Sequence, residues 1–243
     1  VFVGGDIKYA KGVINILIKK KIKIKSVCGS SAAEIISSFQ SKGLLHKIPI
    51  INLKRPWEVE KFFSLFDDKT LGINGGLEVL VPKSVLSKLP VINCHPAFLP
   101  FNRGSHHSFW TLINESPAGA TLHFMNDKID AGPIIDQIQT HYNLETSAKV
   151  LQAKCNNLCL SLIDKNISSI MQGKVSKIYV KRGGSIHYKK EIIEATTLKS
   201  NQRITGRNLL KLIQATNHSF HGYYIECEGK KFFIRSTVKV TKV

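Results

Sequence analysis

Val91–Gly104 reads VINCHPAFLPFNRG, and this stretch predicts a buried strand that ends in polar groups. Asn93 and His95 are two residues apart, so both side chains leave the same face of an extended strand. Pro96 and Pro100 then end the regular structure. Open α/β sheets carry their chemistry where buried strands end, so we predict that functional side chains gather at this point.

A second polar stretch lies at Gly119–Ile135, GATLHFMNDKIDAGPII. There a strand pattern runs into acidic and glycine residues before a new apolar run begins. Taken singly, a histidine after a strand is more often a structural residue than a catalyst, and Asn or Asp in a turn usually caps backbone groups. The two stretches together favour a functional site.

Strands alternate with helices on both sides of these stretches. We predict strands at 1–3, Ile22–Val27, Ile48–Ile51, Thr70–Asn74 and Val91–Asn93, and helices at Lys8–Lys20, Ser30–Ser41, Pro56–Phe66 and Pro82–Leu86. This alternation predicts an α/β fold with a Rossmann-like, doubly wound and mostly parallel sheet.

The second half of the chain continues the pattern and then changes character. We predict helices at His107–Asn114, Glu145–Gln172 and Gly206–Ala215, strands at Ala118–Met125 and Ile134–Tyr142, and a hairpin that pairs Gly222–Cys227 with Lys231–Ile234. Arg182–Ser185 marks a predicted boundary. The larger domain would cover residues 1–182, and a small α+β region would cover residues 183–243.

Composition bounds the class of protein. No apolar run approaches the length of 18 residues that spans a membrane, and Val1–Gly5 is interpreted as a first core strand rather than a signal peptide. Five cysteines without framework spacing indicate a reducing cytoplasm. Cys155 and Cys159 share a helix face as small hydrophobic residues. His106 and His107 are adjacent and point in different directions, so we predict no metal site.

The charge of the chain has two interpretations. The formal net charge is +18, but only six of the 35 basic residues are arginines and the lysines are spread along the whole sequence. Nucleic-acid surfaces favour the arginine fork and interleaved aromatic residues. A solvated origin is therefore favoured over an RNA-binding patch, and we predict neither a nucleic-acid partner nor a membrane partner.

The joint pattern Asn-x-His-Pro-x-x-Leu-Pro-x-x-Arg-Gly, Gly-x-Thr-x-His and Asp-x-Gly-Pro-Ile-Ile resembles the folate-dependent formyltransferase family over residues 71–137. The resemblance implies an enzyme that uses 10-formyltetrahydrofolate as co-substrate. It also implies that Asn93, His95 and Asp130 are the catalytic residues. Ala97-Phe98 departs from the Ser-Leu that the family usually carries there.

The residue types suit formyl transfer to an amine. Asn93 offers an amide donor that does not titrate, and an imidazole at His95 can polarise the formyl oxygen or move a proton. Asp130 can accept a proton and orient His95. By resemblance, the pterin is bound by backbone groups of two loops, which here contain Leu77, Glu78 and Leu80, then Met125 and Asn126. The apolar first loop is equally consistent with a core segment.

The acceptor is predicted from the segment Pro100–Trp110, which is most similar to the nucleotide-sugar N-formyltransferases. The resemblance implies a dTDP-4-amino-4,6-dideoxyhexose as acceptor, surface polysaccharide (O-antigen, lipopolysaccharide) as destination, and a homodimer. Lys8 and Arg103 are candidates for binding the diphosphate or sugar, and solvated cations are the alternative. The runner-up is a methionyl-tRNA formyltransferase. A non-catalytic folate-binding or RNA-binding protein is the rival of another class.

Overall fold

The computed structural model describes residues 2–4, 7–29, 32–41, 50–51, 58, 60–61, 66, 69–75, 81–179, 183–217, 222–239 and 241. The strands are β1 Phe2–Gly4, β2 Val27–Cys28, β3 Ile50–Ile51, β4 Gly72–Gly75, β5 Val91–His95, β6 Arg103–Gly104, β7 Ala118–Phe124, β8 Ile134–Thr140, β9 Ile186–His187, β10 Thr197–Lys199, β11 Tyr223–Cys227 and β12 Lys230–Ile234. The helices are α1 Ile7–Lys19, α2 Ala32–Gln40, α3 Lys83–Leu86, α4 His107–Asn114, α5 Ala148–Met171, α6 Ile192–Ala195 and α7 Gly206–Thr216, with a 3-10 turn at Lys189–Glu191.

One sheet of the described chain holds seven strands in the order β3-β2-β1-β4-β5-β7-β8. The pairs among β1 to β5 are parallel, with β1 between β2 and β4. The strand order reverses direction at β1, which is the doubly wound arrangement. The predicted fold class is therefore confirmed. Strand β7 pairs antiparallel with β5 and so departs from the parallel pattern.

The chain divides into two compact units that alternate along the sequence. Unit 1 contains Val1–His95, Thr121–Asp136 and Cys159–Val180. Its helix α1 buries Ala10, Val13, Ile14 and Leu17, and α2 buries Ala32, Ile35, Ile36 and Phe39. Both sets follow the i, i+3, i+4, i+7 spacing that puts one helical stripe toward a core.

Unit 2 contains Pro96–Ala120, Gln137–Leu158 and Lys181–Val243. Its core brings α4, the first half of α5 and the C-terminal elements together through Phe109, Leu112, Leu151, Cys155, Ile192, Leu212 and Tyr223. A three-stranded sheet has the order β10-β11-β12. The predicted hairpin joins β11 to β12 through Glu228 and Gly229, whose φ angles of 50° and 73° are typical of a tight two-residue turn.

The predicted domain boundary at residue 182 divides the chain into two continuous segments, whereas each compact unit is built from three segments. The domain boundary therefore stays a prediction. The core of unit 2 joins the segments Pro96–Ala120 and Gln137–Leu158 to the C-terminal region. Phe109 and Leu151 face the same apolar cluster as Leu212 and Tyr223. Cys155 and Cys159 are both buried, as expected for small hydrophobic residues.

Several predicted boundaries differ from the structure. The strand predicted at Ile22–Val27 is present only at Val27–Cys28, because the described pairing with β1 begins at Phe2 and Val27. The helix predicted from Glu145 begins at Ala148, since hydrogen bonds between Asn143 and Thr146 form a turn before it. Strand β10 was not predicted.

Three sequence predictions fall on residues outside the described ranges. The helix cap at Ser30 and most of the helix predicted at Pro56–Phe66 lie outside the described residues, as does the start of the strand predicted at Ile48. None of the helices in the described part of the chain is both long enough and apolar enough to cross a membrane.

Asn102 joins three segments of unit 2. Its side chain is fully buried, and its Nδ2 donates to Thr111 Oγ1 at 2.9 Å and to Ser116 Oγ at 2.6 Å. Ser185 Oγ donates to Asn102 Oδ1 at 3.1 Å and accepts from Asn102 N at 2.9 Å. The φ angle of 54° lies in the left-handed region, which asparagine tolerates better than most residues.

We predict that Asn102→Ala lowers the free energy of unfolding by about 2–3 kcal/mol, because a buried amide is lost and the hydroxyls of Thr111, Ser116 and Ser185 lose their partner. Asn114→Ala is the control: that side chain is exposed on α4 and should change the value by less than about 0.5 kcal/mol. Urea denaturation measures both variants. Equal stability of the two variants would contradict the structural role of Asn102.

Candidate active site

Two neighbouring strands place the polar side chains of the site. In the antiparallel pair β5 and β7, Asn93 lies opposite His123 and His95 lies opposite Thr121. Residues directly opposite in such a pair point to the same face, and alternate residues along a strand share that face. All four side chains therefore emerge on one side of the sheet in unit 1.

Asp130 lies among these side chains and divides its carboxylate between them. Its Oδ2 is 3.5 Å from His95 Nδ1. Its Oδ1 accepts from Asn93 Nδ2 at 3.2 Å and lies 3.6 Å from His123 Nε2. The structure thus brings Asn93, His95 and Asp130 together, as the sequence predicts.

His123 is a site residue that the sequence prediction missed. It is 1% exposed, and its Nε2 lies 3.3 Å from Asn93 Nδ2 while its Nδ1 lies 2.9 Å from the carbonyl oxygen of Phe124. The Gly-x-Thr-x-His pattern contained the signal, because it puts Thr121 and His123 on one strand face. Their position beside Asn93 depends on a long-range strand pairing that the pattern does not give.

The loop between β7 and β8 carries Asp130 and is closed at its base. Phe124 N donates to Pro133 O at 2.9 Å, and Met125 N donates to Val91 O at 2.7 Å. Asn126 spans the loop, since its Nδ2 donates to Ala131 O and its Oδ1 accepts from the backbone N of Lys128. These bonds hold Asp130, whose φ angle of 44° is left-handed, in a fixed turn.

The titratable side chains of the site are largely buried. The side chains of His95 and Asp130 are 7% and 13% exposed, so each keeps a small accessible surface. A carboxylate beside an imidazole supports general acid–base chemistry, and an amide beside both is a fixed dipole. No group of three or more His, Cys, Asp or Glu side chains in the described ranges is arranged to hold a metal ion.

The opposite face of β5 is apolar and uncharged. Cys94 is buried there, and its thiol donates to Cys159 O at 3.7 Å. Burial raises the pKa of the Cys159 thiol and the pKa of the Tyr9 hydroxyl, and the neighbouring Cys94 raises both further. These groups therefore stay neutral behind the charged face.

The predicted cofactor-binding residues are only partly described. Leu77, Glu78 and Leu80 lie outside the described residues. Met125 follows β7 directly, and its Sδ accepts from Asn74 Nδ2 at 3.7 Å. The side chain of Asn126 is engaged within its own loop, so a ligand there would meet mainly backbone groups.

The two predicted substrate-binding cations lie in different units. Lys8 is exposed on the first turn of α1 in unit 1. Arg103 is half-buried on β6 in unit 2, where its backbone N donates to Ser185 O at 3.0 Å. Its Nε is buried and has no hydrogen-bond partner among the described residues.

Comparison with known proteins finds similarity that is centred on the segment carrying the site. Residues 75–163 match the family model described as formyl transferase. The dTDP-4-amino-4,6-dideoxyglucose formyltransferase of Mycobacterium tuberculosis is 24% identical over 163 residues, which are 66% of this chain and 70% of that protein. The methionyl-tRNA formyltransferase of Staphylococcus epidermidis is 33% identical over 132 residues, which are 52% of this chain and 42% of that enzyme.

Solved structures show the same fold over nearly the whole chain. A 4-N formyltransferase from Francisella tularensis has a TM-score of 0.82 at 23% identity, covering 99% of this chain and 98% of that chain. An N-formyltransferase from Helicobacter canadensis, in complex with folinic acid and dTDP-3-aminofucose, has a TM-score of 0.70 at 17% identity and covers 95% and 84%.

We predict that Gly132→Ala destabilises the loop that carries Asp130. A Cβ atom at Gly132 would lie 1.7 Å from the backbone oxygen of Phe124, so the backbone itself would have to move. The expected loss in unfolding free energy is about 1–3 kcal/mol. Gly206→Ala is the matched control, since no heavy atom lies within 4 Å of its Cβ position. A chemical denaturation curve for Gly132→Ala that matches the control would refute the close approach.

Proposed function

We propose that this chain transfers a formyl group from 10-formyltetrahydrofolate to the amino group of a nucleotide-linked amino-dideoxy sugar. The match of residues 75–163 to the formyl transferase family model supports this proposal. An acceptor such as dTDP-4-amino-4,6-dideoxyglucose fits the proposal. The reaction converts the amine to a formamide and the folate to tetrahydrofolate.

The carboxylate of Asp130 is the observation that carries this proposal. It contacts His95 through Oδ2 and Asn93 through Oδ1, so one group orients both partners. Formyl transfer needs a group that takes a proton from the amine and donors near the formyl oxygen. These three side chains supply both in a space of a few hydrogen-bond lengths.

The proposed mechanism begins with an uncharged amine. The amine nitrogen attacks the formyl carbon, a new C–N bond forms, and the carbonyl electrons move to the formyl oxygen. His95 stabilises that oxygen or moves a proton, and Asp130 accepts the amine proton directly or through water. The bond from the formyl carbon to folate N10 then breaks, and N10 takes up a proton. Fixed donors toward such an oxyanion contribute about 3–4 kcal/mol each.

The folate is proposed to bind beside the Asp130 loop. Met125 and Asn126 begin this loop, and Leu77, Glu78 and Leu80 are proposed as the second contact. The internal hydrogen bonds of Asn126 support recognition through the backbone rather than through side chains.

A relative that acts on a sugar nucleotide matches a larger share of this chain than a tRNA-modifying relative does. The Staphylococcus epidermidis tRNA enzyme matches over 52% of this chain, which spans 42% of that enzyme. The dTDP-4-amino-4,6-dideoxyglucose formyltransferase of Mycobacterium tuberculosis matches over 66% of this chain, which spans 70% of that protein. The larger share matched in both chains supports a sugar acceptor over initiator tRNA.

Lys8 and Arg103 are proposed to bind the diphosphate or the sugar, because both are cations that suit an anionic nucleotide.

We also propose a homodimer through residues 183–243, where Phe232 and Phe233 on β12 are 53% and 42% exposed. Light scattering would reject the dimer if it gave the mass of one chain. Buried thiols such as Cys94 support a cytoplasmic enzyme, and its product would enter surface polysaccharide such as O-antigen or lipopolysaccharide.

We predict that Asp130→Asn and His95→Ala each lower kcat by about 10²–10⁴-fold, because each removes the proton-transfer group. Asparagine tolerates the left-handed backbone of position 130, so the loop should stay folded. Folate affinity, measured by fluorescence titration, should stay near the wild-type value. His141→Ala, at an exposed histidine, is the control. A kcat near the wild-type value would remove that residue from the mechanism.

We predict that an amino-dideoxy sugar nucleotide is formylated and that the matching hydroxyl sugar nucleotide binds without reacting. An alcohol is a poorer nucleophile and would need a stronger base than a carboxylate–imidazole pair. Mass spectrometry of the acceptor and competition kinetics measure the two outcomes, with initiator methionyl-tRNA as a further acceptor. The sugar proposal fails if every amino-sugar nucleotide is inert.

In the same assay Arg103→Ala and Lys8→Ala should each raise KM for the sugar nucleotide, because each removes a cation that is proposed to bind it. An unchanged KM would exclude that residue from sugar-nucleotide binding.

A further inference from the structure

We propose that His123 is a positioning residue that orients the amide of Asn93 and, through that amide, the carboxylate of Asp130. This inference rests on the proposed function, since it concerns the same site. His123 would act as a neutral hydrogen-bond acceptor and would neither touch the substrates nor carry the transferred proton.

The tautomer of His123 follows from its contact with the backbone. Its Nδ1 lies 2.9 Å from the carbonyl oxygen of Phe124, and a carbonyl oxygen only accepts hydrogen bonds. Nδ1 therefore carries the hydrogen. In a neutral imidazole the other ring nitrogen, Nε2, then presents a lone pair.

The amide of Asn93 completes a consistent set of bonds. Its Nδ2 has two hydrogens, and it lies 3.2 Å from Asp130 Oδ1 and 3.3 Å from His123 Nε2. One hydrogen can go to each acceptor. If the amide were reversed, its oxygen would face the carboxylate oxygen and the Nε2 lone pair, and both contacts would be repulsive. His123 and Asp130 together fix which way the amide points.

A proton relay through His123 is the alternative. Its Nε2 lies 3.6 Å from Asp130 Oδ1, so an imidazolium at His123 would face a carboxylate, with His95 on the other side of that carboxylate. A protonated Nε2 would, however, oppose the hydrogens of Asn93 Nδ2 at 3.3 Å. The side chain of His123 is also only 2% exposed, which leaves the proton little access to solvent. Both observations favour the neutral acceptor.

Three substitutions separate these roles. His123→Leu removes the acceptor at Nε2 but keeps the volume. His123→Gln restores an acceptor oxygen near that position and does not titrate. His141→Leu makes the same change at an exposed histidine and serves as the control. Thermal melts of all three report whether each variant folds.

For a positioning residue we expect His123→Leu to lower kcat by about 10²-fold, the size that a small misplacement of catalytic groups produces. KM for the sugar nucleotide and folate affinity should stay near wild type. His123→Gln should recover most of kcat and keep the wild-type shape of the pH profile. The inference is overturned if glutamine is as impaired as leucine, if the glutamine variant loses one limb of the pH profile, or if leucine retains wild-type kcat.

Nitrogen-15 NMR of the wild-type imidazoles tests the tautomer without any turnover. We expect His123 to carry its hydrogen on Nδ1, and a hydrogen on Nε2 would overturn the inference. If the wild-type enzyme formylates no acceptor, the proposed function fails while the NMR result still decides the tautomer. If His123→Leu does not fold, the glutamine variant and the NMR spectrum decide between positioning and relay.

Discussion

The carboxylate of Asp130 is the group on which the arrangement of the site depends. Each oxygen has its own partner on β5: Oδ2 lies beside His95, and Oδ1 accepts from Asn93, whose amide also contacts His123 on β7. A buried carboxylate is costly unless donors surround it. The two strands and the loop therefore need one another, since the strand side chains stabilise the charge and the charge holds them in one orientation.

Backbone geometry delivers the carboxylate to that position. Antiparallel pairing sets His123 beside Asn93, and the bond from Phe124 N to Pro133 O closes the loop directly after β7. The short approach of Gly132 to the Phe124 carbonyl leaves no space for a side chain. The hydrogen bonds and close packing of this backbone hold the three polar side chains in one arrangement.

The sequence predicted the parts of this fold that depend on local patterns. Strand–helix alternation predicted the doubly wound sheet, and Glu228-Gly229 predicted the hairpin turn. The role of His123 and the buried bonds of Asn102 depend on pairings across 30 and 83 residues, which no local spacing contains. The strand predicted at Ile22–Val27 is too long for the same reason. Lys23 and Lys25 are exposed and Ile24 between them is buried, which is the alternation typical of a strand, but the described pairing with β1 begins only at Val27.

The two faces of β5 explain how a charged site coexists with a stable sheet. Alternate residues of one strand face opposite environments, so Asn93 and His95 border the carboxylate while Cys94 packs against Cys159 and Tyr9 behind them. Burial raises the pKa of the Cys159 and Tyr9 groups, so this layer stays uncharged. An uncharged layer screens the carboxylate poorly, which strengthens its attraction for the donors on the other face of β5.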